Sequence, residues 1–218
     1  MRDDKMQNYY RQRARDYEMI YHRPDAVRLA EQEALASWIR TSLAGVDVVE
    51  IAAGTGWWTV QAAAVAQHVT ATDAVAETLE IAKTKPFDPA KVAFRIADAY
   101  QLDALGRNFD GALSCFWLSH VPRAVLRDFI GGLHRLLRPG PVVCLADNCL
   151  VPRLGGELVR VAGQADSYKY WPLVDGGTEL VLKNYYSEAE LTQLFTPVAQ
   201  DLEIDIGRHF WRLRYRRL

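Results

Sequence analysis

Val46-Asp47-Val48-Val49-Glu50-Ile51-Ala52-Ala53-Gly54-Thr55-Gly56 is the stretch that decides the fold. A short β-branched run closed by two glycines and followed by an alanine-rich stretch to Ala66 reads as strand, tight turn, helix. The texture then repeats. Val69 to Thr72 closes on Asp73 and leads to a helix over Glu77 to Lys83, and Val92 to Ile96 closes on Asp98. Phe109 to Phe116 leads to a long amphipathic helix carrying Val121, Val125, Phe129, Leu133 and Leu136. Arg138-Pro139-Gly140 stops that helix, and Val142 to Ala146 is a fifth strand. Alternation of this kind predicts an α/β, doubly wound, mainly parallel sheet with helices on both faces.

Outside this core the pattern changes. Tyr10, Ala14, Tyr17 and Tyr21 share one face of an N-terminal helix, with Arg11 and Arg15 elsewhere on its surface. A second helix follows Pro24 and turns Val27, Leu35, Trp38 and Ile39 inward. Residues 150–184 form a Gly- and aromatic-rich insertion, after which Ser187 to Phe195 is a helix with Ser187 as N-cap and Glu190 three residues on. Leu202 to Ile206 and Phe210 to Tyr215 are closing strands. The 218 residues suit a single domain, divided into N-terminal helices or lid (1–44), core (45–149), substrate-side insertion (150–184) and C-terminal helix and strands (185–218).

Half of the residues are hydrophobic and 24% are charged, which suits a folded chain, and a net charge of −1 supplies no overall field for a polyanion. Cys115, Cys144 and Cys149 fall in or beside apolar runs and read as reduced, buried thiols of a cytoplasmic protein. The N-terminus has no apolar signal-like segment, so neither secretion nor a membrane partner is expected. The five histidines are scattered without metal-ligand spacing, and no metal is expected.

Parallel sheets bind ligands beyond the carboxyl ends of their strands, so the residues that close each strand are the candidate site. A glycine turn alone is equally a plain strand-to-helix corner. Asp73, seventeen residues past Gly56, is placed to receive two ribose hydroxyls of a nucleoside, or else to cap the next helix. Asp98 and Ala99 lie where an adenine ring is bounded, with a cap again the alternative. A dinucleotide fingerprint needs a third glycine, but Trp57 and Trp58 follow Gly56. Glu50 repels a diphosphate and favours a cationic tail. S-adenosylmethionine has an ammonium, a sulfonium and no phosphate.

Val49 to Gly56 resembles the first motif of the class I S-adenosylmethionine-dependent methyltransferases of small-molecule type. Asp73-Ala74 with Leu79-Glu80-Ile81-Ala82 is similar to the second motif, Ala97-Asp98-Ala99 to the adenine-side motif, and Phe109-Asp110-Gly111-Ala112 through His120-Val121 to the fourth. Leu136-Leu137-Arg138-Pro139-Gly140 is similar to the turn into the fifth strand, and Lys183-Asn184-Tyr185-Tyr186 to a stretch typical of small-molecule members. The resemblance implies a Rossmann-like seven-stranded sheet with an antiparallel last strand, and S-adenosylmethionine as cofactor. It places Glu50, Ala52, Gly54, Asp73 and Asp98 near that cofactor; Gly56, Ala74, Ala99 and Cys115 are further cofactor-side candidates, and Tyr10, on an N-terminal helix able to close as a lid or else packed permanently, can hydrogen-bond the polar tail. The family often has Gly where Ala52 stands, and Trp57 and Trp58 are bulky for their place, at least one of them packing the first helix on the sheet.

The expected reaction is methyl transfer to O, N or C of a small-molecule acceptor. Alignment alone supplies effective molarities of about 10⁵ to 10⁸ M, so a base is needed only for an unactivated hydroxyl or a protonated amine. His120 is the candidate base; a capping or surface histidine is the plain alternative. Trp117 and Tyr168 are the substrate-side candidates, and Phe116 and Trp117 either face the cation or pack in the core. Two other readings stand beside this one: a non-catalytic nucleoside-binding module, and an RNA methyltransferase motivated by Arg208, Arg212, Arg214, Arg216 and Arg217. Alternation sends Arg212, Arg214 and Arg216 to the face opposite Trp211, Leu213 and Tyr215, which is more often a solvated face, so a nucleic-acid partner is not favoured.

Overall fold

The computed structural model describes residues 4–106, 108–152, 154–172 and 176–218. Its ten strands are β1 (Asp47–Ile51), β2 (His68–Asp73), β3 (Val92–Ile96), β4 (Phe109–Cys115), β5 (Leu137–Asn148), β6 (Leu158–Arg160), β7 (Ser167–Pro172), β8 (Thr178–Leu182), β9 (Ala199–Ile206) and β10 (Phe210–Arg217). The α-helices are α1 (Asp4–Arg13), α2 (Ala26–Ser42), α3 (Thr59–Ala63), α4 (Ala76–Ala82), α5 (Leu126–Arg135) and α6 (Glu188–Phe195). Seven strands form one sheet in the order β3-β2-β1-β4-β5-β10-β9, parallel except that β10 runs antiparallel to both β5 and β9. The sheet is the expected Rossmann-like one.

All five residues of β1 are buried because helices cover both sheet faces. Val49 and Ile51 pack with Phe129, Leu133 and Trp211 on one side, whereas Val48 packs with Ile39, Trp58 and Ala62 on the other. In β10, Trp211, Leu213 and Tyr215 are buried. The arginines on the opposite face meet the acids of the neighbouring strand, Arg212 with Asp205 at 2.6 Å and Arg214 with Glu203 at 2.6 Å. Two of the five arginines that motivated a nucleic-acid reading are thus paired with acids within the sheet, while Arg216 and Arg217 donate to backbone carbonyls.

Three local expectations need correction. The segment expected as one helix from Val121 starts only at Leu126, because the ring of Pro122 pushes Val121 into extended backbone (φ −91°, ψ 123°) and leaves two single 3₁₀ turns before α5. In α2, Val27 is 43% exposed and Arg28 takes the inward position, one helical row away with Gln32, Leu35 and Ile39. The N-terminal segment is helical only to Arg13 and continues as a 3₁₀ stretch over Ala14–His22. The insertion, for which no element was expected, holds the antiparallel sheet β6-β7-β8, whose alternation buries Ser167 and Lys169. At α6 the expected capping box is present: Ser187 Oγ accepts from Glu190 N, and the Glu190 carboxylate accepts from Ser187 N at 2.8 Å.

The turn after β1 takes left-handed backbone at Ala52 (φ 55°), Gly54 (φ 57°) and Gly56 (φ 78°). A Cβ on Gly56 would stand 2.9 Å from Ala82 Cβ, so this glycine lets α4 close on the turn; a Cβ on Gly54 would meet open space. Ala52 carries strain that glycine would not. Urea unfolding should therefore show Gly56→Ala destabilised by about 2–4 kcal/mol from strain and overpacking together, Gly54→Ala by about 1 kcal/mol, and Ala52→Gly stabilised by up to about 1 kcal/mol. An equal cost at Gly54 and Gly56 would contradict the packing role of Gly56.

Candidate functional site

Beyond the carboxyl ends of the parallel strands lies a cavity of about 260 Å³, roofed by the N-terminal segment. Of the residues singled out in the sequence, Tyr10, Glu50, Ala52, Gly54, Asp73, Ala74, Asp98, Ala99, Cys115 and Trp117 line it. Gly56 does not, for it lies one turn deeper under Ala82. Tyr168 lines no cavity here, and its hydroxyl donates to Gln164 Oε1 at 2.9 Å on the outside of the insertion. Trp57 and Trp58 both line the cavity. Trp57 stacks on Tyr21 at 4.5 Å, and buried Trp58 donates its indole N–H to the Tyr21 hydroxyl at 3.2 Å.

Asp73 ties the turn to the second strand: its carboxylate accepts from Gly54 N at 2.9 Å and from Val75 N at 2.8 Å. Burial pushes its pKa up against those bonds. The Thr78 hydroxyl and the Ala74 N–H also favour its charged form, and the carboxylate lines the cavity, where hydroxyl donors can reach it. Asp98 likewise caps its own turn, accepting from Tyr100 N at 2.9 Å, while lining the same space. Glu50 is 1% exposed and its Oε2 has no hydrogen-bond partner; burial raises its pKa to about 8. Among its described lining residues the cavity has these three acids and no Lys, Arg or His. That donor set fits a ligand bearing cationic groups and vicinal hydroxyls, and it offers nothing to a phosphate. S-adenosylmethionine fits it.

A second cavity, about 340 Å³, adjoins the first and shares Tyr10, Tyr17, Tyr21 and Phe116 with it. Phe116 is held in left-handed backbone (φ 63°) by its N–H bond to Ala146 O at 2.7 Å, a strained geometry at the point where the two spaces meet. His120 belongs to this second cavity. Its Nδ1 lies 2.8 Å from Leu182 O, a group that only accepts, so Nδ1 carries the proton and Nε2 accepts from the Tyr10 hydroxyl at 3.0 Å. Burial and then the Lys183 charge hold the imidazole well below its usual pKa. The Tyr10 hydroxyl, expected at a cofactor tail, is thus engaged by His120.

Buried Asp147 anchors this region. Its carboxylate accepts from Ser119 N (2.8 Å), Ser119 Oγ (2.9 Å) and Asn148 N (2.7 Å), and faces Lys183 Nζ at 3.4 Å. Asn184 extends the link, donating its backbone N–H to Ser119 O at 2.8 Å and its side-chain amide to Val121 O at 3.2 Å. The sequence reading missed Arg28, Lys169 and His209, which also line the second cavity. Arg28 was detectable from the helical row it shares with Leu35 and Ile39. Lys169 and His209 carried no signal without the strands that bury them. Among the described residues no cluster of His, Cys, Asp and Glu could hold a metal, and no helix is long and apolar enough to cross a membrane.

Burial pushes the Asp147 pKa up, but Lys183, His120 and the N–H donors outweigh it and the net shift is downward. The stability it confers is present above the ordinary carboxylate range, 3.8, and is lost as pH falls through the lower folded value. Asp147→Ala leaves Lys183 buried without its counter-ion and should cost about 3–5 kcal/mol in urea unfolding at neutral pH. The gap to the parent should shrink in acid below the ordinary range. A cost that does not vary with pH would show that the carboxylate is not ionised.

Residues 48–140 match a family model described as a methyltransferase domain. No curated protein matches the chain. Among solved structures, a DhpI–SAH complex is 26% identical with a TM-score of 0.75, over 98% of this chain and 96% of the other. A DhpI–SAM–HEP complex is 26% identical with a TM-score of 0.76, over 97% and 95%. SAM-bound CalS10, an amino pentose methyltransferase from Micromonospora echinaspora, is 20% identical with a TM-score of 0.62, over 93% and 96%, and shares the fold.

Proposed function

We propose that this chain, a class I S-adenosylmethionine-dependent methyltransferase, methylates an O, N or C atom of a small molecule seated in the second cavity. The observation that carries this reading is the pair of adjoining cavities: an acid-lined one over the glycine turn, and one walled by the insertion, meeting at Tyr10, Tyr17, Tyr21 and Phe116. When bound, S-adenosylmethionine supplies a methyl group on sulfonium, an electrophile whose leaving group departs as a neutral thioether. The chain's own contribution is placement and exclusion of water.

Gly54 and Ala52 hold the turn open toward the ligand, Asp73 receives the ribose hydroxyls, and Asp98 and Ala99 bound the adenine. Glu50, deprotonated, balances the ammonium. The N-terminal segment covers both spaces: Tyr9 packs on Trp171 at 4.7 Å and Arg11 pairs with Glu77 at 3.0 Å, so it bridges the insertion and α4. His120 is the proton acceptor when the acceptor atom carries a proton. Its Nε2 lone pair becomes available once the Tyr10 hydroxyl turns toward the ligand, and Tyr10 then relays or orients rather than blocks. Cytoplasmic activity on a metabolite is part of the same proposal.

Two measurements test it. Asp73→Ala should weaken S-adenosylhomocysteine binding by about tenfold or more, because charge-assisted bonds are worth about 1.5–3 kcal/mol. Unchanged affinity in a folded variant would reduce Asp73 to a cap. Glu50 titrates at about 8 in the free chain, so it is largely protonated at pH 6 and must lose its proton to face an ammonium. Affinity should therefore rise between pH 6 and 8, by at most about tenfold per pH unit, and be weak and flat in Glu50→Gln. Because the folded pKa is raised from 4.5 to about 8, the free chain should lose stability as pH climbs from the lower value to the higher and level off above it, and Glu50→Gln should melt higher than the parent at pH 8.

A further inference from the structure

The two cavities are partitioned by charge. Among their described lining residues, the first has acids and no cations, and the second has Arg13, Arg23, Arg28, Lys169 and Lys183 and no Asp or Glu. Among the described residues, Lys183 alone of these has a buried carboxylate at ion-pair distance, Asp147. Lys169 is 3% exposed; its ammonium donates to Leu154 O at 2.8 Å and lies 5.3 Å from the Tyr185 ring, with no acid in ion-pair reach among the described residues. Arg28 is 6% exposed, its guanidinium sits 4.6 Å over the Phe210 ring, and its Nε has no hydrogen-bond partner. His209, 3% exposed, has no hydrogen-bond partner on either ring nitrogen and is 3.4 Å from Asp25.

Buried cations ordinarily pair, since an uncompensated buried charge costs several kcal/mol. Structural need does not account for two of them beside the same cavity: neither Lys169 nor Arg28 bridges elements through a carboxylate. Burial first, and then Lys183 and Arg23 respectively, lower their basicity; at Arg28 the charges of Asp25 and Glu31 offset this only in part. Each retains N–H donors beyond the bonds named, for an ammonium has three and a guanidinium five.

We propose that the methyl acceptor is a small anion, bearing a carboxylate or phosphate-type group that Lys169 and Arg28 hold in the second cavity. The proposal rests on the reading of the first cavity as the S-adenosylmethionine site. In this arrangement the methyl carbon crosses the aromatic boundary from a cationic donor to an anionic acceptor. The new bond forms from a lone pair of the acceptor, the carbon–sulfur pair stays on sulfur, and any proton displaced goes to His120 Nε2. The anion also offsets the positive field of Lys183 and Lys169 around that imidazole. The same cationic lining therefore selects the acceptor and makes His120 a better proton acceptor once the acceptor is present.

Calorimetry on the full chain saturated with S-adenosylhomocysteine tests this, with inorganic phosphate and benzoate as probes and benzamide as the neutral counterpart of benzoate. At least one acid should bind. Lys169→Met and Arg28→Met should each weaken it by about tenfold or more, as expected for loss of a charge-assisted bond, while S-adenosylhomocysteine affinity stays within about threefold of the parent. Benzamide should bind at least about tenfold more weakly than benzoate if the carboxylate is the recognised group. Binding of phosphate alone assigns the phosphate type, and binding of benzoate alone the carboxylate. Failure of both acids to bind, benzamide matching benzoate where benzoate is the only acid bound, or acid affinity unchanged in both variants overturns the proposal. Should one variant not fold, the other decides. If the parent does not bind S-adenosylhomocysteine, the cofactor reading falls, and the acid titrations on the free chain still judge the second cavity by itself.

Discussion

The buried carboxylate of Asp147 constrains more of this molecule than any other group. It stands at the end of β5 with no exposure to solvent, and its acceptors are filled by Ser119, Asn148 and Lys183, which come from three different parts of the chain. Desolvating a carboxylate is costly unless every lone pair finds a donor, so the position of Asp147 dictates where the turn after β4 and the last strand of the insertion must go. His120 inherits its place from that constraint. It follows Ser119 directly, and its Nδ1 donates to Leu182, the residue before Lys183. A catalytic candidate on an irregular segment thereby gains the rigidity of the central sheet.

The second organising feature is the separation of charge across an aromatic boundary. Tyr10, Tyr17, Tyr21 and Phe116 divide a cavity whose described charged groups are all acidic from one whose Lys and Arg side chains face no acid among the described lining residues. Such a division costs stability in the free protein, visible in Glu50, whose carboxyl is pushed up to about 8, and in Lys169 and Arg28, whose basicity is lowered. Ligands of opposite charge on the two sides would relieve both strains at once. The charged groups themselves are held in place by the fold before any ligand arrives, which is the condition for preorganised electrostatics.

Likeness to a methyltransferase domain over residues 48–140 leaves the acceptor open, because one core fold hosts many activities. What distinguishes this chain is the roof: α1 with the 3₁₀ stretch after it, and the β6-β7-β8 sheet. These segments supply Tyr10, Tyr17 and Lys169, whereas Arg28 enters from α2 and His209 from the turn before β10. The second cavity is thus walled by pieces far apart in sequence.

By itself the sequence determined the alternation of strands and helices, the glycine turn from Ala52 to Gly56, the acids that close β2 and β3, the capping box at Ser187 and the inward row of β10. Each of these is a local property: hydrophobic period, turn chemistry and cap residues act over a few neighbours, and they agree with one another along the core. Only the tertiary structure decided the rest. Pro122 broke a helix that periodicity alone extended, Arg28 rather than Val27 faced inward because the buried row is set by what α2 packs against, and Gly56 lies close against Ala82 of α4. The engagement of His120 by Tyr10, 110 residues away, and the burial of Lys169 without an acid depend on contacts between distant segments. Charge in a sequence is counted along the chain, but electrostatic energy depends on distance and desolvation, and both are fixed only when the fold closes.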